Sequence, residues 1–312
     1  MKLVFKDPNV SRKLGIIASL LVLMVVFTIL TDKFFSASNF LNILQQAAIN
    51  LCVAVGMTFV IITGGIDLSV GSIMALNGMI MAMMMASGAA PGIAVIVGLL
   101  LGILFGAGNG LLIAGLKLQP FLVTLGSMSV YRGITLIISN GLPVRGFSKV
   151  YVNFMTSLNK IFPIPIIISL VLAILAMIVL KYFKFGQYLL AIGGNEEASR
   201  LSGINTVGMK VVTYAFSGFT STLAAVIFLG RLGAADPQAG DGYEMNAIAA
   251  AAIGGASMAG GKGSIVGTII GCLILQTLNN GLTLLNVQSF YQTFAIGVIV
   301  ILATIIDHYS SK

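Results

Sequence analysis

The chain has 312 residues and a formal net charge of +8. Hydrophobic residues make up 58% and charged residues 8%, against about 25% charged in a soluble domain, and the mean hydropathy is +1.05. This balance excludes a soluble globular domain. The basic residues stand singly between apolar runs, which is a topogenic pattern and not a nucleic-acid surface.

A membrane-spanning helix needs about 20 apolar residues. Ten such stretches predict an all-α polytopic bundle, with spans near 14–31, 45–63, 70–87, 92–116, 119–138, 163–180, 211–229, 246–260, 264–284 and 290–306. No composition shift divides the chain, so residues 1–312 read as one transmembrane domain. Trp is absent, which leaves Tyr and Phe for the interface belts.

The first span is longer than a signal-peptide core. Asp32-Lys33-Phe34-Phe35 follows it in place of a small-residue cleavage site, so it reads as an uncleaved helix. Cys52 in span two and Cys272 in span nine fall in apolar segments, where no structural disulfide is expected. Between spans two and three lies Gly64-Gly65-Ile66-Asp67-Leu68-Ser69-Val70-Gly71. The glycine pair suits a broken helix. Asp67 reads either as a gate or translocation-path residue, since acids near apolar spans are costly, or as an N-cap of the following helix.

Span four carries Gly98, Gly102, Gly106 and Gly110, and span nine carries Gly263, Gly267 and Gly271. Residues four apart share a helix face, and small residues there permit close helix packing, within the chain or across a dimer. Asn109, Asn279 and Asn280 are neutral amides within spans; they line a path for a hydroxylated solute or bridge helices.

Two polar segments are predicted outside, 139–162 and 230–246. They hold Arg145, Lys149, Lys160, Arg231, Asp236, Asp241 and Glu244, a set of charges suited to docking a partner protein. Between them runs the longest polar stretch facing the other side, Lys181–Lys210. Span eight, 246–260, is short and built of small residues, and reads as a half-helix or re-entrant segment. Just after it, Ala256-Ser257-Met258-Ala259-Gly260-Gly261-Lys262-Gly263 imitates a phosphate-binding loop. It lacks the first Gly, the final Ser or Thr and the preceding strand, so no nucleotide and no other cofactor is expected.

Charge sets orientation. With the N-terminus inside, Lys2, Lys6, Arg12, Lys13, Lys117, Lys181, Lys184, Arg200, Lys210, Lys262 and Lys312 are cytoplasmic. Lys33, Arg145, Lys149, Lys160 and Arg231 are outside, and Arg132 lies within span five. Eleven against five places both termini in the cytoplasm. Two fragments recur between the halves: Gly64-Gly65 with Gly71-Ser72-Ile73 echoes Gly254-Gly255 with Gly263-Ser264-Ile265, and Asn109-Gly110 before Gln119 echoes Asn280-Gly281 before Gln288. The echo is either a degenerate inverted repeat or chance in a Gly-rich chain. The only histidine is His308, and no metal-ligand cluster or carboxylate pair shares an apolar segment, so the chain is not expected to be an enzyme.

Several stretches together resemble the membrane permeases of ribose-type ABC sugar importers, over nearly the whole chain. They are Gly56-Met57-Thr58-Phe59-Val60-Ile61 leading to Gly64–Ser72, Asn109-Gly110-Leu111-Leu112, Ala191–Glu196 through Gly203-Ile204, Tyr243–Ala250, and Leu278-Asn279-Asn280-Gly281-Leu282. The resemblance implies that residues 181–210 are a cytoplasmic coupling loop, with Asn195, Glu196, Glu197, Ala198, Arg200, Gly203 and Ile204 docking on an ATP-binding subunit. It further implies a sugar-binding protein outside, a second permease subunit forming a homodimer, and a site in the bacterial cytoplasmic membrane among its lipids. Ribose is the favoured sugar, while galactose, arabinose, xylose and autoinducer-2 permeases share much of the pattern. Two other classes compete. An ion-coupled secondary transporter would want several intramembrane acids, and Asp67 is the only acid near a span; an integral membrane enzyme would want a catalytic cluster.

Overall fold

The computed structural model describes residues 8–157 and 163–310. Lys2, Lys6, Lys160 and Lys312, all counted in the orientation argument, lie outside the described residues. In chain order the helices are α1 (Pro8–Leu30), α2 (Ala37–Ile62), α3 (Val70–Ala86), α4 (Pro91–Gly110), α5 (Pro120–Ser139), α6 (Lys149–Ser157), α7 (Ile164–Tyr182), α8 (Lys184–Gly194), α9 (Glu196–Leu201), α10 (Thr206–Leu232), α11 (Tyr243–Ile253), α12 (Ile265–Leu284) and α13 (Ser289–Ser310). A π-helical turn, Leu111–Gly115, extends α4. Two-residue strands β1 (Val144–Arg145) and β2 (Ala234–Ala235) pair antiparallel. Among the described residues, six helices are long and apolar enough to cross a membrane, and three shorter apolar helices accompany them.

Each predicted span carries a helix, and the differences have physical causes. α2 begins at Ala37, earlier than the predicted 45, because Ser36 accepts a hydrogen bond from the Asn39 amide and the amides at Asn39, Asn42 and Gln46 find partners inside the bundle. Polar residues that looked like a loop are helix. Likewise α10 begins at Thr206 behind an Asn205 cap on Gly208, so Lys210 sits in its first turns. The weak span near 246–260 is the 11-residue α11, followed by an irregular loop whose Gly261 amide donates to the Ile62 carbonyl. The segment that imitates a phosphate loop is therefore a connection packed on the end of α2.

α2 is the axis of the bundle. Every residue from Ala47 to Ile62 is buried, with α7, α10, α11 and α12 packed around it. A helix apolar on all sides belongs inside. α3 sits against α4, α5 and α10, and α1 covers α12. The glycine stripes serve this packing. A Cβ on Gly106 would run into the Tyr214 carbonyl oxygen, one on Gly102 would stand 2.6 Å from the Gly218 carbonyl, and one on Gly110 2.7 Å from Val211 Cα. These pairs run in opposite directions, so α4 and α10 are antiparallel with their backbones nearly touching. Gly271 meets Ala250 on α11, and Gly267 meets Gly254 just past its end, in the same way. Both stripes are intramolecular seams.

The two sequence echoes do not share one register. The first matches the α2–α3 connection with the α11–α12 connection; the second matches α4–α5 with α12–α13. Two helices separate the matched points in the first half and only one in the second, so the echoes do not align as a single repeat.

Candidate functional site

Asp67 is fully buried in the break between α2 and α3. Gly64, with φ +77°, turns the chain after Thr63. Asp67 Oδ1 accepts from the Ser69 amide at 3.0 Å and from Ser69 Oγ at 2.6 Å. Oδ2 accepts from Ser217 Oγ on α10 at 2.8 Å. Asp67 is not the N-cap of α3, which is Ser69 and makes no side-chain cap bond. Its carboxylate instead closes the turn before the helix onto Ser69 and ties that turn to α10. The neighbouring Ile66 carbonyl accepts from Tyr214 on α10 and Thr124 on α5.

A polar chain continues from there. Asn109 Nδ2 donates to Ser69 Oγ at 2.9 Å, and Asn109 Oδ1 accepts from Ser127 Oγ at 2.6 Å and from the Tyr131 hydroxyl at 3.4 Å. Asp67 accepts from Ser69, Ser69 Oγ accepts from Asn109, and the Asn109 carbonyl accepts from Ser127 and Tyr131, so one chain of hydrogen bonds crosses four elements. The chain ends at a groove of about 840 Å³ between α4 and α5, lined by Asn109, Gln119, Ser127 and Tyr131 among apolar Leu112 and Leu122.

Asn280 lies elsewhere. Asn280 and Asn39 exchange amide hydrogen bonds, both at 2.9 Å. One turn away Gln276 donates to Gln46 at 2.5 Å, and Arg231 donates to Asn42 at 2.8 Å. Asn39, Asn42 and Gln46 occupy one stripe of α2, forming an amide ladder with α12 and α10. α2 has 26 residues, about 39 Å at 1.5 Å per residue. Asn39 is in its first turn and Asp67 follows its end, so the ladder and the Asp67 cluster stand at opposite ends. Asn280 bridges helices, and Asn279 is beside it with its carbonyl oxygen unpartnered. Sequence reading missed Ser69, Ser127, Tyr131, Tyr214 and Ser217. Hydroxyls in apolar helices usually bond their own backbone, so only their tertiary partners single them out. The stripe Asn39, Asn42, Gln46 carried a usable signal in its helical spacing.

The stretch between α7 and α10 folds as α8 and the six-residue α9. Asn195 caps α9 by accepting from the Ala198 amide at 2.9 Å. Glu196, Glu197, Ala198, Arg200 and Gly203 are exposed, Ile204 is half-buried, and Ser199 faces inward. Arg200 Nη2 meets Glu197 Oε1 at 2.5 Å, and this hydrogen bond holds the exposed Glu197 carboxyl below the usual range. Lys210 in α10 meets Glu196 at 2.6 Å, which fastens α9 to the foot of α10.

On the far side of α10, β1 and β2 join the two segments expected outside. Arg145, Lys149, Asp236 and Asp241 are exposed, whereas Glu244 is 8% exposed and accepts from the Gly242 amide. Glu244 is therefore set apart from the rim charges.

Long apolar helices packed around the buried α2 make this a multi-pass membrane protein. The chain belongs to the family described as branched-chain amino acid transport system / permease component, which matches residues 39–304. Among curated proteins it is 45% identical over 305 residues to the ribose import permease protein RbsC of Bacillus subtilis (strain 168), covering 97% of this chain and 95% of that one. It is 43% identical over 294 residues to the ribose import permease protein RbsC of Escherichia coli (strain K12), covering 93% and 92%. It is 40% identical over 302 residues to the D-allose transport system permease protein AlsC of the same strain, covering 96% and 93%. No solved structure matches the chain.

Proposed function

We propose that this chain is the permease subunit of an ATP-driven importer that moves a monosaccharide, ribose, across the bacterial cytoplasmic membrane. Ten spans with both termini inside fit the charge distribution. An ATP-binding subunit docks on α9, a sugar-binding protein docks on the outer rim at Arg145, Lys149, Asp236 and Asp241, and a second copy of the chain completes the path. The observation that carries this reading is mechanical. α10 runs unbroken from the exposed α9, through the Lys210–Glu196 pair, to Ser217, which holds Asp67. A push on α9 is thereby delivered to the polar chain that ends at the α4–α5 groove. Hydroxyls and amides on that groove suit a sugar's hydroxyl groups, while Asp67 anchors their chain without touching the sugar.

Uptake of labelled ribose by a strain lacking its own permease tests the assignment. Uptake should appear only when the cognate ATPase and binding protein are co-expressed. Uptake that persists without the ATPase, and collapses with the ion gradient, would instead indicate a secondary transporter.

A further inference from the structure

The segment Ala234–Gly242 has an outer end and an inner end. At the outer end β2 pairs with β1, Val144 opposite Ala235 and Arg145 opposite Ala234, and Asp236 and Gln238 are exposed. At the inner end Gly240, with φ +76°, lies backbone to backbone against Gly71 in the first turn of α3; a Cβ on Gly71 would also stand 2.7 Å from Glu244 Oε2. Between the ends, Arg132 Nη1 on α5 donates to the Pro237 carbonyl at 2.6 Å and to the Ala239 carbonyl at 2.9 Å. Arg132 forms no ion pair, since those among the described residues are Arg200–Glu197 and Lys210–Glu196. Arg132 is seven residues before the end of α5, about 10 Å at 1.5 Å per residue. A charge at that depth is costly unless it is matched to carbonyls or a partner. Here it is matched to two carbonyls of one short segment, with Asp241, Glu244 and Asp236 of the same stretch adding electrostatic attraction.

We infer that Ala234–Gly242 is a strut that carries docking at the outer surface to the Asp67 cluster, with Arg132 as the positioning residue that latches the strut to α5. The inference rests on the docking reading given above. The strut is held at three points: the β ladder, the arginine contact and the Gly71–Gly240 contact. Displacement of its outer end is not absorbed along its length. Close-packed interiors shift between discrete arrangements and do not deform continuously. Gly71 is four residues beyond Asp67, so a shift there re-aims the turn that Asp67 closes. The same movement reaches α5, which carries Ser127 and Tyr131.

The test uses the complete complex in vesicles, with ATPase and binding protein. Three quantities are read: binding-protein affinity, basal ATP hydrolysis, and stimulation of hydrolysis by saturating sugar-loaded binding protein. Arg132→Gln should leave affinity and basal hydrolysis within about twofold and lower stimulation at least tenfold. Arg132→Lys, which keeps the charge, should fall between. The double change Gln238→Gly with Ala239→Gly loosens the strut without removing a buried group, and should also lower stimulation; it decides the matter if Arg132→Gln fails to assemble. Wild-type stimulation in the folded variants overturns the strut, as does a loss traced wholly to weaker docking. A wild-type complex that binds no sugar-binding protein would instead overturn the docking reading.

Discussion

Replacing Asp67 separates the geometry of the buried cluster from its charge. Asp67→Leu removes every acceptor and orphans three buried donors, the Ser69 amide, Ser69 Oγ and Ser217 Oγ. At about 1–3 kcal/mol for each unsatisfied group, the loss is on the order of 3–9 kcal/mol. That is comparable with the ~5–15 kcal/mol of net stability of a folded protein, so the Leu protein should barely accumulate. Asp67→Asn keeps Oδ1 for both Ser69 donors. Only the Ser217 contact must reverse, with the new amide donating, at a loss of about 1 kcal/mol. The Asn protein should reach wild-type levels in the membrane. The Ser69 amide can only donate, so Oδ1 stays on Ser69, and the contact that changes is the tie from Ser217 on α10, the helix that leads to α9. Uptake should fall at least tenfold, equivalent to about 1.4 kcal/mol on the transport barrier. Initial rates of labelled ribose uptake, normalised to permease in the membrane, measure it. Wild-type rates in Asp67→Asn would refute the reasoning and leave Asp67 as a structural tie alone.

The amide ladder predicts non-additivity. Asn280→Leu or Asn39→Leu alone strands its partner and should lower thermal stability in detergent by roughly 1–2 kcal/mol, while the double replacement should recover most of that loss; additive single effects would count against the pair. Gly106→Ala pushes a methyl into the Tyr214 carbonyl and should destabilise by about 1–3 kcal/mol, whereas Gly108→Ala, which meets nothing within 4 Å, should gain up to about 1 kcal/mol from helix propensity; melting temperatures compare the two. Glu197→Lys sets two cations three residues apart on exposed α9, where solvent screens their repulsion and the fold is little affected. The complex should therefore assemble yet hydrolyse ATP without transport, and normal ribose uptake would remove α9 from the coupling role. Reversing Asp236 and Asp241 together should slow association of the sugar-binding protein and change its salt dependence, with expression intact; surface-binding kinetics at low and high salt decide it.

Hydropathy and spacing were enough to reveal most of the fold. Long apolar runs cannot face water, so span positions follow from composition. Glycines four apart on Gly98–Gly110 and Gly263–Gly271 announce close helix seams, because nothing else explains repeated loss of side chains on one face. The break at Gly64-Gly65 and the importance of Asp67 were likewise legible, since an acid beside apolar spans demands partners. What the chain could not declare was which partners. Ser217 is 150 residues from Asp67, and a serine in an apolar helix looks the same whether it bonds its own turn or a carboxylate on another helix. The amides show the same limit in reverse. Asn109 and Asn280 are both followed by glycine within apolar helices. Only the antiparallel packing of α2 on α12 assigns Asn280 to a structural pair at one end of the bundle, and only the packing of α3, α4 and α5 assigns Asn109 to the cluster at the other. Sequence determined which residues must be satisfied; the register of helices far apart in the chain decided by whom.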